Sequence, residues 1–199
     1  HHTDPEEDAN EHKDRSREET YHPDPAAELT TSPWPSPKGS KGEVNKGFAI
    51  ANDRLSRQRI PYSAGCIGVA VKAHELALEY AGVRETFGAA LASRQAIQWM
   101  LVDNEIDIQQ ARWATLEAAS QADRGEPFRK QAAMAKLIAS EGASRVVDRC
   151  LQIHGGYGVS KDFPFERWYR EMRIRRIGEG PSEVQRHIIA REILGQSLR

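Results

Sequence analysis

The segment RRIGEGPSEVQR, residues 175–186, sets one carboxylate, Glu179, between Gly178 and Gly180 and follows it with Pro181, Ser182 and Glu183. Glycine packs nothing and loses more backbone entropy on folding than other residues, so a pair flanking an acid needs a reason. One reason is structural: an acid just ahead of a helix favours the positive end of its dipole. The other is chemical: the glycines let a reactive carboxylate approach a bound ligand closely. Both stay open on this stretch alone.

Three more polar clusters fall at predicted helix ends. In YAGVRETFGAAL, Tyr80 and Arg84 share one helical face before a turn at Gly88. LQIHGGYG ends a helix with Gly155-Gly156, where backbone amides and Gln152 stand ready for a ligand. FPFERWYREMR is rich in arginine and aromatic residues. Ser182 and Gln185 have capping-box spacing, which predicts Ser182 as the N-cap of a last helix and an anion or oxyanion site at its N-terminus beside Glu179.

Other chemistries find no support. Glu-x-x-His occurs only at Glu19–His22, in a stretch without helical periodicity, so a carboxylate-bridged di-iron site is not expected. No zinc spacing, nucleophile elbow or phosphate-binding Walker loop is present, and no metal ligands are assigned. Cys66 and Cys150 each sit in an apolar helical pattern and read as reduced core thiols.

The elements that must position these clusters are helical. Residues 1–41 are predicted as a disordered acidic and Pro-rich segment, with ten Asp/Glu against three Lys/Arg in residues 1–28. The net charge of -1 therefore leaves about +6 on the remainder, too scattered for nucleic acid. From residue 42 the texture is helical. A first helix is predicted over Lys46–Gly82, kinked or restarted at Pro61, with Ile67, Val71, His74, Leu78 and Ala81 on its apolar face. A second is predicted over Ser93–Asp123 with Ser93 as N-cap, interrupted on its apolar face by Asn104 and Thr115. A third spans Pro127–His154 with Met134, Leu137, Ile138, Val146, Val147, Cys150 and Leu151 facing in. Shorter helices follow at Pro164–Ile174 and Ser182–Leu194, and strand signals are nearly absent. The fold class is all-α, an up-and-down four-helix bundle in which many alanines allow close helix approach. No apolar run reaches membrane-span length and no signal-peptide pattern opens the chain, which reads as an intracellular protein: cytoplasmic, or of the mitochondrial matrix, and not secreted.

Taken in order, Arg59, AGCIG, YAGVRETFGAAL, QIHGGYG, FPFERWYRE and IGEGPSEVQ resemble the C-terminal domain of acyl-CoA dehydrogenases over residues 42–199. The resemblance implies FAD as cofactor, an acyl-CoA thioester as substrate, and Glu179 as the catalytic base that removes the α-proton while hydride leaves the β-carbon. The backbone N–H of Glu179 is implied as an oxyanion donor. It implies that Arg84, Thr86 and Phe87 contact the FAD of a neighbouring subunit, with Arg84 against its pyrophosphate. Gln95, Gln152, Ile153, His154, Gly155 and Gly156 would hold the adenosine part across the interface of a homo-oligomer, dimer or tetramer. Arg59 would seat CoA, while Gly180, Ser182 and Glu183 would line the site near substrate and flavin. Some members carry the base just before the Arg59 position; here that residue is Gln58, which cannot serve. Pro181 replaces the usual threonine, and Glu171 a usual aspartate. The chain corresponds to the C-terminal portion of such enzymes, whose electron acceptor would be a protein such as an electron-transfer flavoprotein. The alternatives are a non-catalytic oligomerisation bundle and a related flavin oxidase or monooxygenase.

Overall fold

The computed structural model describes residues 47–195, so the predicted disordered segment 1–41 lies outside the described residues. Three long helices carry the fold: α1 (Gly47–Val83), α2 (Gln95–Asp123) and α3 (Arg129–His154). Between α1 and α2 the chain makes a two-residue hairpin, β1 (Glu85–Thr86) and β2 (Ala89–Ala90), then a 3-10 turn at Leu91–Ser93. Three short helices follow: α4 (Gly156–Val159), α5 (Phe165–Arg175) and α6 (Ser182–Leu194). α3 is the central element and packs against each of α1, α2, α4, α5 and α6.

α1 runs through Pro61 as one helix rather than restarting there. A proline inside a helix costs about 3 kcal/mol. The face on either side of it is buried in register (Ser56, Arg59, Ser63, Cys66, Ala70), so packing sustains the helix across the lost hydrogen bond. Ser93 does not cap α2. Arg94 takes that position, and the Ser93 hydroxyl donates instead to the Ala90 carbonyl at 2.7 Å, closing the 3-10 turn. α3 starts two residues later than Pro127, with Phe128 at its N-cap.

The core differs from the predicted one in residue size. On α1 the buried stripe is Cys66, Ala70, Ala73, Ala77 and Ala81, while Leu78 is exposed. On α3 it is Ala132, Ala133, Ala139, Ala143, Val146, Val147 and Cys150, and Met134 points outward. Close-packed helices need small residues at the contact, so the alanines take the seam and larger side chains move to its flanks. Both thiols are free and fully buried, and burial pushes Cys150 up to about 12, so neither is a reactive thiolate.

The buried polar residues of α2 find partners, Asn104 and Asp107 across the seam and Thr115 within its own helix. Asn104 donates to the Cys150 sulfur at 3.3 Å, and Thr115 donates back to the Ala111 carbonyl at 2.8 Å. Asp107, which the sequence pattern did not single out, accepts from Arg145 Nε at 3.1 Å and from Arg149 Nη1 at 2.8 Å. Gly142 lies opposite it, where an added Cβ would stand 3.6 Å from the Asp107 carbonyl oxygen. Burial alone would raise the Asp107 carboxyl; the hydrogen bonds and charges of the two arginines outweigh it and hold it below its usual range. A depressed carboxylate stabilises the fold above its unfolded value, ~3.9, and that contribution is lost as pH falls through the folded value. Asp107→Asn is expected to cost about 1–3 kcal/mol at neutral pH, discounted for the half-exposed Arg145. Denaturant unfolding measured down an acid series should show the gap to wild type closing below about pH 4.

Candidate functional site

The loop between α5 and α6 carries Glu179 in the left-handed region, with φ of 56°, followed by Gly180 at φ 89°. Glu179 is half-buried, and its Oε2 is a buried oxygen without a hydrogen-bond partner. Its backbone N–H has no backbone partner among the described residues. A Cβ on Gly178 would meet the Tyr62 hydroxyl at 2.8 Å and one on Gly180 would meet Gln185 Nε2 at 2.7 Å, so a side chain at either position would displace the tip of that neighbour. The glycines therefore let the loop press onto α1 and α6, which brings the acid down into the bundle.

Around the loop lie polar groups of which sequence reasoning left Lys136 and Tyr62 without a role. Gln185, fully buried, donates from Nε2 to the carbonyls of Gly180 at 2.8 Å and Glu179 at 3.2 Å. Lys136 of α3, also fully buried, donates to the Gly180 carbonyl at 2.9 Å and the Arg176 carbonyl at 3.4 Å. Tyr62 donates to the Arg175 carbonyl, and the Arg175 guanidinium stands 4.6 Å over its ring. Arg59 is 2% exposed beneath Gly180, with Nε and Nη1 buried and unpartnered. Burial lowers its pKa, the Arg129 charge adds to this, and the Glu179 charge opposes it. The signal for Lys136 was available: a lysine at a core position between Ala132, Ala133 and Ala139, Ser140.

The capping box is not formed. Pro181 holds the N-cap of α6 and Ser182 is its first helical residue, with a buried and unpartnered hydroxyl. Proline's fixed φ suits helix entry, and the Gln185 side chain turns back to the loop carbonyls. The Ser182 N–H, expected at an anion site, donates to the Arg176 carbonyl at 3.1 Å.

A second site opens at the other end of α3. Arg84, Thr86, Ile153, His154, Gly155 and Gly156 line one open cavity of about 560 Å³ together with Tyr80, Tyr157 and Asp162. A Cβ on Gly155 or Gly156 would stand in open space, so the bare backbone faces the groove. The Gly155 N–H is not free for a ligand, since it closes α3 onto Leu151 and Gln152. His154 forms the floor: its Nδ1–H donates to the Cys150 carbonyl at 2.8 Å, and its ring stacks on Tyr80 at 4.4 Å. Burial lowers its pKa, with the Cys150 bond opposing, so the ring is neutral at pH 7. Phe87, with φ of 51°, is fully exposed at the hairpin tip. Gln95 and Gln152 are exposed and do not line the cavity; Ser182 and Glu183 lie with Glu179 at the α5–α6 loop, and Glu183 is exposed.

The model of the acyl-CoA dehydrogenase C-terminal domain matches residues 45–194. The chain belongs to the acyl-CoA dehydrogenase family. It is 44% identical over 153 residues to the acryloyl-CoA reductase (NADH) of Anaerotignum propionicum, covering 77% of this chain and 39% of that protein. The mitochondrial short-chain specific acyl-CoA dehydrogenase of Bos taurus is also 44% identical, with 77% and 37% covered. The butyryl-CoA dehydrogenase structure from Megasphaera elsdenii superposes with a TM-score of 0.75 at 39% identity, over 77% of this chain and 40% of that one. PigA, solved with FAD and proline, has a TM-score of 0.75 at 29% identity, with 76% and 40% covered. The chain thus spans about two fifths of the length of these family members.

A non-glycine residue in the left-handed region costs about 1–2 kcal/mol, and an orphaned buried carboxylate oxygen adds to this. Glu179→Gly is therefore expected to stabilise the isolated fold by about 1 kcal/mol in denaturant unfolding. A destabilised variant would show that the loop is not strained.

Proposed function

We propose that the protein carrying this chain is an FAD-dependent oxidoreductase that introduces a double bond between the α- and β-carbons of an acyl-CoA thioester, with Glu179 as catalytic base. The observation that carries this reading is the Glu179 carboxylate, held on a left-handed loop with one buried oxygen free of any partner. A base that must take a proton from carbon needs an acceptor oxygen not already engaged, in a site that excludes water.

The residues at the end of α3 fit a dinucleotide. The groove offers one exposed cation, Arg84, for a pyrophosphate, bare glycine backbone at Gly155–Gly156 for close approach, and an aromatic wall from Tyr80 and Tyr157. Arg84, Thr86 and the Gly155–Gly156 backbone would hold that part of FAD, with Phe87 reaching outward beside it. Bound FAD supplies a two-electron acceptor for the hydride from the β-carbon. Glu179 takes the α-proton on its carboxylate oxygen, and its own N–H is available to the thioester oxygen as charge develops there. Arg59, buried beneath Gly180, supports a role at this reacting end rather than at the CoA tail.

A homo-oligomer is part of the proposal. On α2 the large apolar residues Trp99, Val102, Ile106, Trp113 and Leu116 are exposed at helical spacing, Trp113 by 70%. Such an exposed apolar stripe, interrupted at Gln109 and Gln110, supports an association surface. The electron acceptor is a protein such as an electron-transfer flavoprotein. No described helix is long and apolar enough to cross a membrane.

The flavin-loaded protein is expected to lose its oxidised-flavin absorbance anaerobically on addition of an acyl-CoA. Glu179→Gln should slow that loss by about 10²–10⁴-fold while acyl-CoA still binds. An unchanged rate refutes the base assignment, and oxygen consumption in place of stable reduction would point to an oxidase. Separately, Trp113→Glu is expected to shift the assembly towards smaller species in light scattering; an unchanged mass would remove α2 from the interface.

A further inference from the structure

We propose that Lys136 is a positioning residue for Glu179: its ammonium, reaching from the middle of α3, ties the two ends of the α5–α6 loop together and holds the acid in its left-handed conformation. The catalytic meaning of this rests on Glu179 being the base; the positioning itself rests on geometry.

Lys136 lies on the face of α3 that also carries Ala132, Ala133, Ala139, Ser140 and Ala143, and it is 0% exposed. A buried ammonium is unfavourable unless its donors find acceptors. Both acceptors belong to the loop: the Arg176 carbonyl at 3.4 Å and the Gly180 carbonyl at 2.9 Å. Arg176 caps the C-terminus of α5, where carbonyls lack helical partners and carry partial negative charge. A cation from α3 thus completes that helix end. The same cation holds the carbonyl four residues on, and Glu179 lies between the two.

The knot has further strands. The Arg176 carbonyl also accepts the Ser182 N–H at 3.1 Å, which joins the first residue of α6 to the C-cap of α5. Gln185 shares the Gly180 carbonyl and adds that of Glu179, but it lies only five residues from Gly180 on the adjoining helix. Lys136 lies 44 residues from Gly180 and is the donor that ties the loop to the central helix. Its ring contact, Nζ 6.0 Å from the Tyr62 centroid, places it over the residue that also packs against Gly178. With the ammonium gone, α3 keeps the Glu141 carboxylate 3.9 Å from Arg176, but no hydrogen bond from α3 holds the Gly180 carbonyl against relaxation of a conformation that a glutamate disfavours.

The test is amide hydrogen exchange on the full chain carrying Lys136→Met, which keeps the length and removes the charge. The amides of Ile177, Gly178 and Ser182, bonded to Ile174, Ile174 and Arg176 carbonyls, should exchange at least about tenfold faster, while those of Val146 and Val147 in α3 keep their rates. Lys136→Ala provides the second variant: n-butylammonium should restore protection at the three loop amides, and n-butanol should not. Unchanged loop exchange, equal acceleration throughout the bundle, or equal rescue by the alcohol would overturn the proposal, since each makes Lys136 filling rather than tether. In the flavin-loaded protein the same Met variant should slow flavin reduction with acyl-CoA affinity retained; weakened affinity at an unchanged rate would also refute it. Exchange needs no turnover, so failure of the Glu179→Gln test would remove the base assignment and leave the tether standing.

Discussion

The close approach of α1, α2 and α3 along their alanine faces is the constraint on which the rest of the molecule depends. Small side chains let the backbones come near, as at Gly142, where α3 passes the Asp107 peptide with room for little more than a methyl group. Helices this close leave no space for bulky apolar filling. The large hydrophobic residues are displaced to the flanks, and polar groups that end up in the seam must find partners there. Asn104, Asp107 and the arginines of α3 do so with one another and with Cys150, and Thr115 does so with the Ala111 carbonyl of its own helix.

The same constraint shapes the site. α3 touches every other helix, so a side chain on it can reach groups far apart in sequence. At one end it presents His154 as a floor for the Tyr80 ring and a glycine terminus open to a groove. In its middle, Lys136 meets the carbonyls of a helix end that local sequence leaves uncapped. The Glu179 loop is therefore strained in backbone but fixed on three sides, by α1 through Tyr62, by α3 through Lys136 and by α6 through Gln185. Strain held in place by surrounding structure at a reactive group is a known arrangement of functional sites.

What the core does not hold, the surface displays. Trp99 and Trp113 on α2 and Phe87 on the hairpin are too large and too apolar to be left in water without consequence. The chain that carries them spans about two fifths of its relatives' length.

The sequence by itself determined the helices, their order, and the clusters at their ends, because periodicity, glycine and proline act locally. α2, α5 and α6 could be read to within a residue or two, and Glu179 stood out because acid between two glycines has few structural uses. The resemblance of the ordered motifs supplied the family. Tertiary structure decided the rest. It chose Ala70 and Ala73 over Val71 and Leu78 for the seam, since which face is buried depends on how near a neighbour can come, and hydrophobicity alone does not report that. It carried α1 through Pro61, moved the cap of α6 from Ser182 to Pro181, and turned Gln185 back onto the loop. It also brought Lys136 to Gly180 across 44 residues, a contact that no local spacing encodes because it is made by the packing of two helices and not by the chain between them.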